Sequence, residues 1–371
     1  MYEQEVVVGK FRELAGTLPT FTGRDGFRAH WQELAGLGVL HEGGDGWVTE
    51  AVARFEGLGL GGIDPGLCYG AASQLFGIQM PLRMLLSPGQ LGLLDGTATG
   101  ELLLCHASTE EGGGSDPLSG TTTATRLPDG SYCLSGRKSF ITAAPVADRG
   151  LVFARTGEGR SPFALSAFLV DLDSPGVTRG APEDKSALPG VPMGSLTFDD
   201  VTVPADRLVL REGAGLMVMA ATTTCERALL LSYALGPMRR LLEETVQWAA
   251  TRRQFDRPMG ASHQVAGRVA DMAIRVHRSR ELIYGMARRI DEGTAVRHLA
   301  NEAAMVKISV TEDHLYLAET AGMLAGVRAF IRDRDGFADL ASALAGSVYA
   351  GPNDLLRVSV ARGLGLPVGN H

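Results

Sequence analysis

Residues 108–116 read STEEGGGSD, three glycines between two glutamates and a Ser-Asp pair. Glycine has no Cβ, so such a triplet serves either as slack surface chain or as a loop whose backbone N–H groups approach a ligand closely. These residues alone leave both readings open. The other reactive residue types set bounds. Cys68, Cys105, Cys133 and Cys225 are far apart and contain no CxxC pair, the pattern of reduced core thiols. The eight histidines are scattered, with no HExxH and no Cys/His cluster, so no metal site is expected. The basic stretches Arg252–Arg253, Arg288–Arg289 and Arg332–Arg334 have acidic residues close by, and the net charge is −7 with a pI near 5.7. No nucleic-acid partner is expected from that balance.

The elements that must position any site follow from periodicity. A chain of 371 residues, 45% hydrophobic and 21% charged, is long enough for a substantial core in two or three subdomains. The start, MYEQEVVVGKFREL, carries charges where a signal peptide needs an apolar run, and no apolar stretch approaches the roughly 18 to 20 residues of a membrane span. A cytoplasmic protein with no membrane partner is expected. Residues 1–103 show helical spacing, as in FRAHWQELAGLGVL and WVTEAVARFEGLGL, broken by turns such as GLGGIDPG. Residues 104–206 switch to short alternating runs (TTTATRL, LVFART, ALSAFLVDL, SLTFDDVTV), and DGSYCLSGRKSFIT reads as strand, glycine turn, strand. Residues 207–371 return to helical spacing in three long segments beginning at Cys225, His263 and Val296. The fold class is therefore α+β: an N-terminal helical domain, a middle β-barrel or sandwich, and a C-terminal antiparallel four-helix bundle of the kind that also pairs subunits.

Specific strings now gain meaning. TEEGGGSD with GRKSFIT resembles the TEPGAGSD and GxKxxIT signatures of the acyl-CoA dehydrogenase family of flavoproteins; LTFDDVTVPADRLV resembles its closing β-domain strand, and TRRQFDRPMGASHQ its RxQFGxPxxxxQ segment. The matches run through nearly the whole chain in the family's order. In that context the glycine triplet reads as a ligand loop.

The resemblance implies FAD as cofactor. A flavin is a flat apolar ring with polar edges and a diphosphate tail, which needs strand edges, backbone N–H groups and arginine. By similarity, Ala107, Ser108 and Thr109 lie against the pyrimidine edge, Gly114 and Ser115 approach the cofactor and the substrate's pantetheine arm, and Phe140, Ile141 and Thr142 cover the ring. Arg252, Gln254 and Phe255 match positions that reach the FAD of a neighbouring subunit, implying a homodimer or homotetramer. The implied reaction is α,β-dehydrogenation of an acyl thioester carried on CoA or on an acyl carrier protein. A carboxylate takes the α-proton, and the thioester oxygen is held partly by a backbone N–H.

The family's common base lies in a YEGT string. Here the string is VYAGPND, so Tyr349 and Gly351 match while Ala350 replaces the glutamate; an alanine accepts no proton, but its N–H remains. Some members carry the base on a bundle helix just before an arginine. That position here is Glu226, followed by Arg227, and on a helix it shares a face with Leu229, Leu230 and Tyr233, which would raise its pKa. The adenine-end motif QxxGGxG is reduced to GMLAGVR. These departures suggest a biosynthetic, carrier-protein-directed relative. The alternatives are a flavin-dependent monooxygenase of the same fold, which needs no α-proton base, and a non-catalytic partner subunit.

Overall fold

The computed structural model describes residues 2–19, 26–331 and 339–368. The basic stretch at 332–334 lies outside them. The N-terminal helices are α1 (Tyr2–Ala15), α2 (Phe27–Gly36), α3 (Trp47–Leu60), α4 (Pro65–Ala72) and α5 (Met80–Leu85). At the turn GLGGIDPG, α3 ends and α4 starts, with Asp64 accepting from the Leu67 N–H at 2.9 Å and Pro65 in the first turn. Between α4 and α5 the chain forms a π-helical turn, Ser73–Gln79, a conformation that frequently marks functional sites.

The middle strands are β1 (Leu104–Ala107), β2 (Thr123–Arg126), β3 (Tyr132–Thr142), β4 (Arg149–Arg155), β5 (Leu165–Asp171), β6 (Val177–Arg179) and β7 (Met193–Val203). They form one sheet ordered β1-β4-β2-β3-β7-β6, with β5 also paired to β4. The strand, turn, strand expectation for DGSYCLSGRKSFIT gives way to one continuous strand. Gly136 is an irregularity within it rather than a turn: its φ is +141°, and a Cβ there would stand 2.7 Å from the Thr122 Cα. Only glycine fits such a close backbone approach.

The C-terminal helices are α6 (Gly215–Leu229), α7 (Ser232–Thr251), α8 (His263–Asp291), α9 (Ala300–Ala325), α10 (Leu340–Ala345) and α11 (Asn353–Gly363). A two-stranded hairpin, β8 (Arg253–Gln254) with β9 (Arg257–Pro258), joins α7 to α8. Here the expected long helix beginning at Cys225 is two helices. Leu229, Leu230 and Leu231 are all buried, and the chain turns at Leu230–Leu231, between the end of α6 at Leu229 and the start of α7 at Ser232. Glu226 thus sits in the last turn of α6, and Tyr233 belongs to the next helix.

One apolar core runs from α1, α3 and α4 through one side of the sheet into α7–α9; a second joins α5 and α6 to Leu104, Leu151, Phe153, Leu165 and Leu169. Burying these side chains, at about 25 cal/mol per Å² of apolar surface, fixes the three layers against each other. Among the described residues no helix is long and apolar enough to cross a membrane.

Candidate active site

The two glycine-containing strings meet on the sheet. The Ser139 N–H donates to Thr109 O at 3.0 Å, so the end of β1 and the following loop lie against the last third of β3. Ala107 is fully buried, Ser108 and Thr109 are half-buried, and Gly114 and Ser115 are exposed. Beneath the loop lies a buried ion pair, Lys138 Nζ to Glu110 Oε1 at 2.8 Å. Glu110 also accepts from the N–H and hydroxyl of both Thr121 and Thr122 at 2.6 to 3.0 Å. Burial pushes this carboxyl up, but Lys138 and the threonine donors outweigh it and hold the pKa down at about 2.

Phe140 interrupts the pleat of β3. Its neighbours Ser139 and Ile141 are buried, whereas Phe140 has φ +59° and stays 52% exposed. A large aromatic ring held open beside a backbone-lined loop is a surface suited to a flat apolar ring such as isoalloxazine. The residues present fit FAD on that ground.

Glu226, in the last turn of α6, lies against the π-helical turn. Its carboxyl packs over Gly77 of the π-helical turn, where an added Cβ would come 3.5 Å from its Cγ, Cδ and Oε1, and Ser73 of the same turn is its hydrogen-bond partner. Burial raises its pKa to about 7, opposed by the charges of Arg227 and Lys307 and by Ser73. Leu229, Leu230 and Tyr233 are buried, but they do not share one helix face with Glu226 as expected, because α6 ends at Leu229 and Tyr233 lies on α7.

The 349–353 turn closes the site. Arg227 Nε donates to Ala350 O at 2.8 Å, and Ala350 and Gly351 have φ of +53° and +97°. The Ala350 N–H donates to no group among the described residues. The Tyr349 and Tyr233 hydroxyls bond at 2.9 Å, and Tyr69 on α4 packs on both rings with centroids 5.1 and 5.5 Å away. Thr142 is a hydrogen-bond partner of Tyr69, so the end of β3 joins the base cluster through one tyrosine.

Three expected residues stand elsewhere. Arg252, at 5.8 Å from the Trp248 ring, Gln254 and Phe255 are exposed on the hairpin at the far end of α7, and Phe255 is 93% exposed. Tyr233 and Arg252 are separated by nearly the whole of α7, about 28 Å at 1.5 Å per residue. One chain does not bring that hairpin to its own Glu226.

Tyr69, Ser73 and Lys307 were not anticipated. Lys307 left a trace, a cation at the helical spacing of Ala303, Val306 and Val310; the π-helical turn leaves no periodic signal.

The acyl-CoA dehydrogenase middle-domain model matches residues 105–201 and the acyl-CoA dehydrogenase C-terminal-domain model residues 213–365. An L-prolyl-[peptidyl-carrier protein] dehydrogenase of Pseudomonas fluorescens is 32% identical over 90% of this chain and 88% of that protein. An FAD complex of PigA superposes with a TM-score of 0.89 at 26% identity, covering 99% of each chain. The prolyl acyl carrier protein oxidase AnaB does so with 0.90 at 25% identity, over 98% of this chain and 99% of its own. With both family models matched in order onto the sheet and the bundle that carry the site, and with that identity sustained along its length, the chain belongs to the acyl-CoA dehydrogenase family.

Proposed function

We propose that this protein is an FAD-dependent dehydrogenase that desaturates an acyl thioester, with Glu226 as the base and L-proline on a carrier protein as the acyl group. The observation that carries the reading is a buried carboxyl with its pKa raised to about 7, beside a turn whose Ala350 N–H has no partner among the described residues. The prolyl group is suggested by the names of the Pseudomonas relative and of AnaB. A floor of three tyrosines suits a compact, nitrogen-bearing acyl group better than a long alkyl chain.

The thioester oxygen accepts from the Ala350 N–H, which increases the acidity of the α-carbon. Glu226 takes the α-proton on its carboxylate, and the electron pair left behind forms the Cα=Cβ bond as a hydride departs from Cβ. FAD, when bound, would supply the hydride acceptor. Tyr69, Tyr233 and Tyr349 keep water from the carboxylate, and Gly114 and Ser115 leave the loop open for the pantetheine arm. Arg252, Gln254 and Phe255 serve the FAD of a partner subunit, which makes the working form a homodimer or homotetramer.

The test is the intact mass of prolyl-loaded carrier protein incubated with the FAD-loaded enzyme. Loss of two hydrogens per oxidation is expected, more slowly with prolyl-CoA. Gain of oxygen, or no change on either carrier, contradicts the reading.

Two variants probe the cofactor site. Arg252→Ala is expected to weaken FAD binding by about 10-fold or more, the scale of a charge-assisted bond of roughly 1.5–3 kcal/mol. Full flavin occupancy in a strictly monomeric preparation would remove the cross-subunit role. Thr142→Val, close to isosteric, is expected to melt within about 1 kcal/mol of the parent while slowing flavin reduction by substrate. Reduction at the parental rate would deny Thr142 that part.

A further inference from the structure

The turn that presents Ala350 is gripped from two sides, by Arg227 at Ala350 O and by Lys307 at Gly351 O. Lys307, on α9, is 1% exposed. Its Nζ donates to Gly351 O at 2.8 Å and to Asn353 Oδ1 at 2.8 Å. Asn353 in turn donates from Nδ2 to Thr311 Oγ1 at 3.0 Å, and that hydroxyl donates to Lys307 O at 2.9 Å, one helical turn back. The ammonium also lies 5.9 Å from the Tyr349 ring centroid.

Two cations from two helices therefore converge on the segment 350–353. An alanine at φ +53° persists only where its surroundings over-determine it. Burying an ammonium against neutral acceptors is costly, and an apolar side chain would pack α9 without that cost. A nearby negative charge makes the burial tolerable. Glu226 and Glu312 act on Lys307 through space as such charges, and the thioester oxygen becomes a further one as the α-proton leaves.

We propose that Lys307 is a positioning residue of the dehydrogenation: through Gly351 and Asn353 it aims the Ala350 N–H at the thioester oxygen, and its charge holds Glu226 ready as a proton acceptor. This rests on the reading of Glu226 as the base. The electrostatics run the same way. Burial pushes Lys307 down to about 7, with Arg227 adding to the fall and Glu226 opposing it, while burial pushes Glu226 up to about 7 against Arg227 and Lys307. The other titratable groups facing the pair are Glu312 on α9, Tyr69 on α4, Tyr349 in the turn and, behind it, Tyr233 on α7.

The test is a carboxyl titration of the FAD-loaded protein by carbon NMR on labelled glutamate, with Glu226→Gln assigning the signal. Lys307→Met is expected to raise the Glu226 midpoint by about one pH unit, the scale of losing one close opposite charge, and to slow thioester-driven flavin reduction on the order of 10-fold at neutral pH. Lys307→Gln, which retains a donor for Gly351 O, should raise the midpoint equally, and Lys307→Arg should leave it near the parent's. A folded neutral variant titrating at the parental midpoint overturns the proposal. So does failure of both neutral variants to fold, which would assign Lys307 to stability alone. The titration needs no substrate, so it stands apart from whether Glu226 proves to be the base.

Discussion

Glu226→Gln is expected to keep its FAD and to lose at least about 10²-fold in flavin reduction by thioester, the scale of removing a general base. Glutamine preserves the shape over Gly77 and the contact with Ser73 but cannot take a proton. In the parent, the carboxyl must be ionised to act, and its pKa is raised to about 7. The rate should therefore be low below that midpoint and rise as pH increases through it, whereas an ordinary glutamate would already be fully active by about pH 6. Ala350→Glu in the Glu226→Gln background should recover part of the rate. The left-handed backbone already carries a Cβ at that position, so the change adds no new backbone strain. Rapid-mixing absorbance measurements across pH check all three; reduction by Glu226→Gln at the parental rate would reject the base assignment.

Lys138→Met is expected to cost about 3–5 kcal/mol of stability, because it leaves the buried Glu110 carboxylate without its cation. FAD should be lost with it, since Glu110 anchors the 108–116 loop to Thr121 and Thr122. Adding Glu110→Gln should return part of the loss by removing the stranded charge. The pH dependence has a definite sign. With its folded pKa held at about 2, below the unfolded value near 4.3, Glu110 stabilises the fold fully above about pH 4.5 and loses that contribution as pH falls toward 2. Lys138→Met should flatten this acid limb. Melting curves from pH 3 to 7 test it, and a single variant that melts with the parent would show that the threonine donors suffice alone.

Much of this architecture can be read from periodicity, because the long helices α7 and α8 and the strand β7 bury one face each. The reading failed where tertiary contact overrides local pattern. Gly136 has the look of a turn residue, but the crowding by Thr122 that requires it comes from the segment leading into β2. Leu229–Leu231 continue a helical period, and nothing in their spacing marks the break between α6 and α7. The site follows the same division. Glu226 is legible as a candidate base only through a family pattern, and the rise in its pKa follows from its burial. Tyr69, Ser73 and Lys307 converge on it from helices far apart in the chain, and no local spacing announces that meeting. The hairpin residues Arg252, Gln254 and Phe255 are exposed at the far end of α7, and their proposed role requires a second subunit.

The most direct test of the central claim is an anaerobic titration of the FAD-loaded protein with prolyl-carrier-protein thioester, followed by flavin absorbance. A dehydrogenase with Glu226 as base should bleach without any other reductant, at a rate that rises with pH through about 7, while the Glu226→Gln protein stays yellow on the same timescale. A parent protein that stays oxidised with the thioester and bleaches only when reduced nicotinamide or a flavin reductase is added would contradict the account and place the chain among flavin-dependent oxygenases.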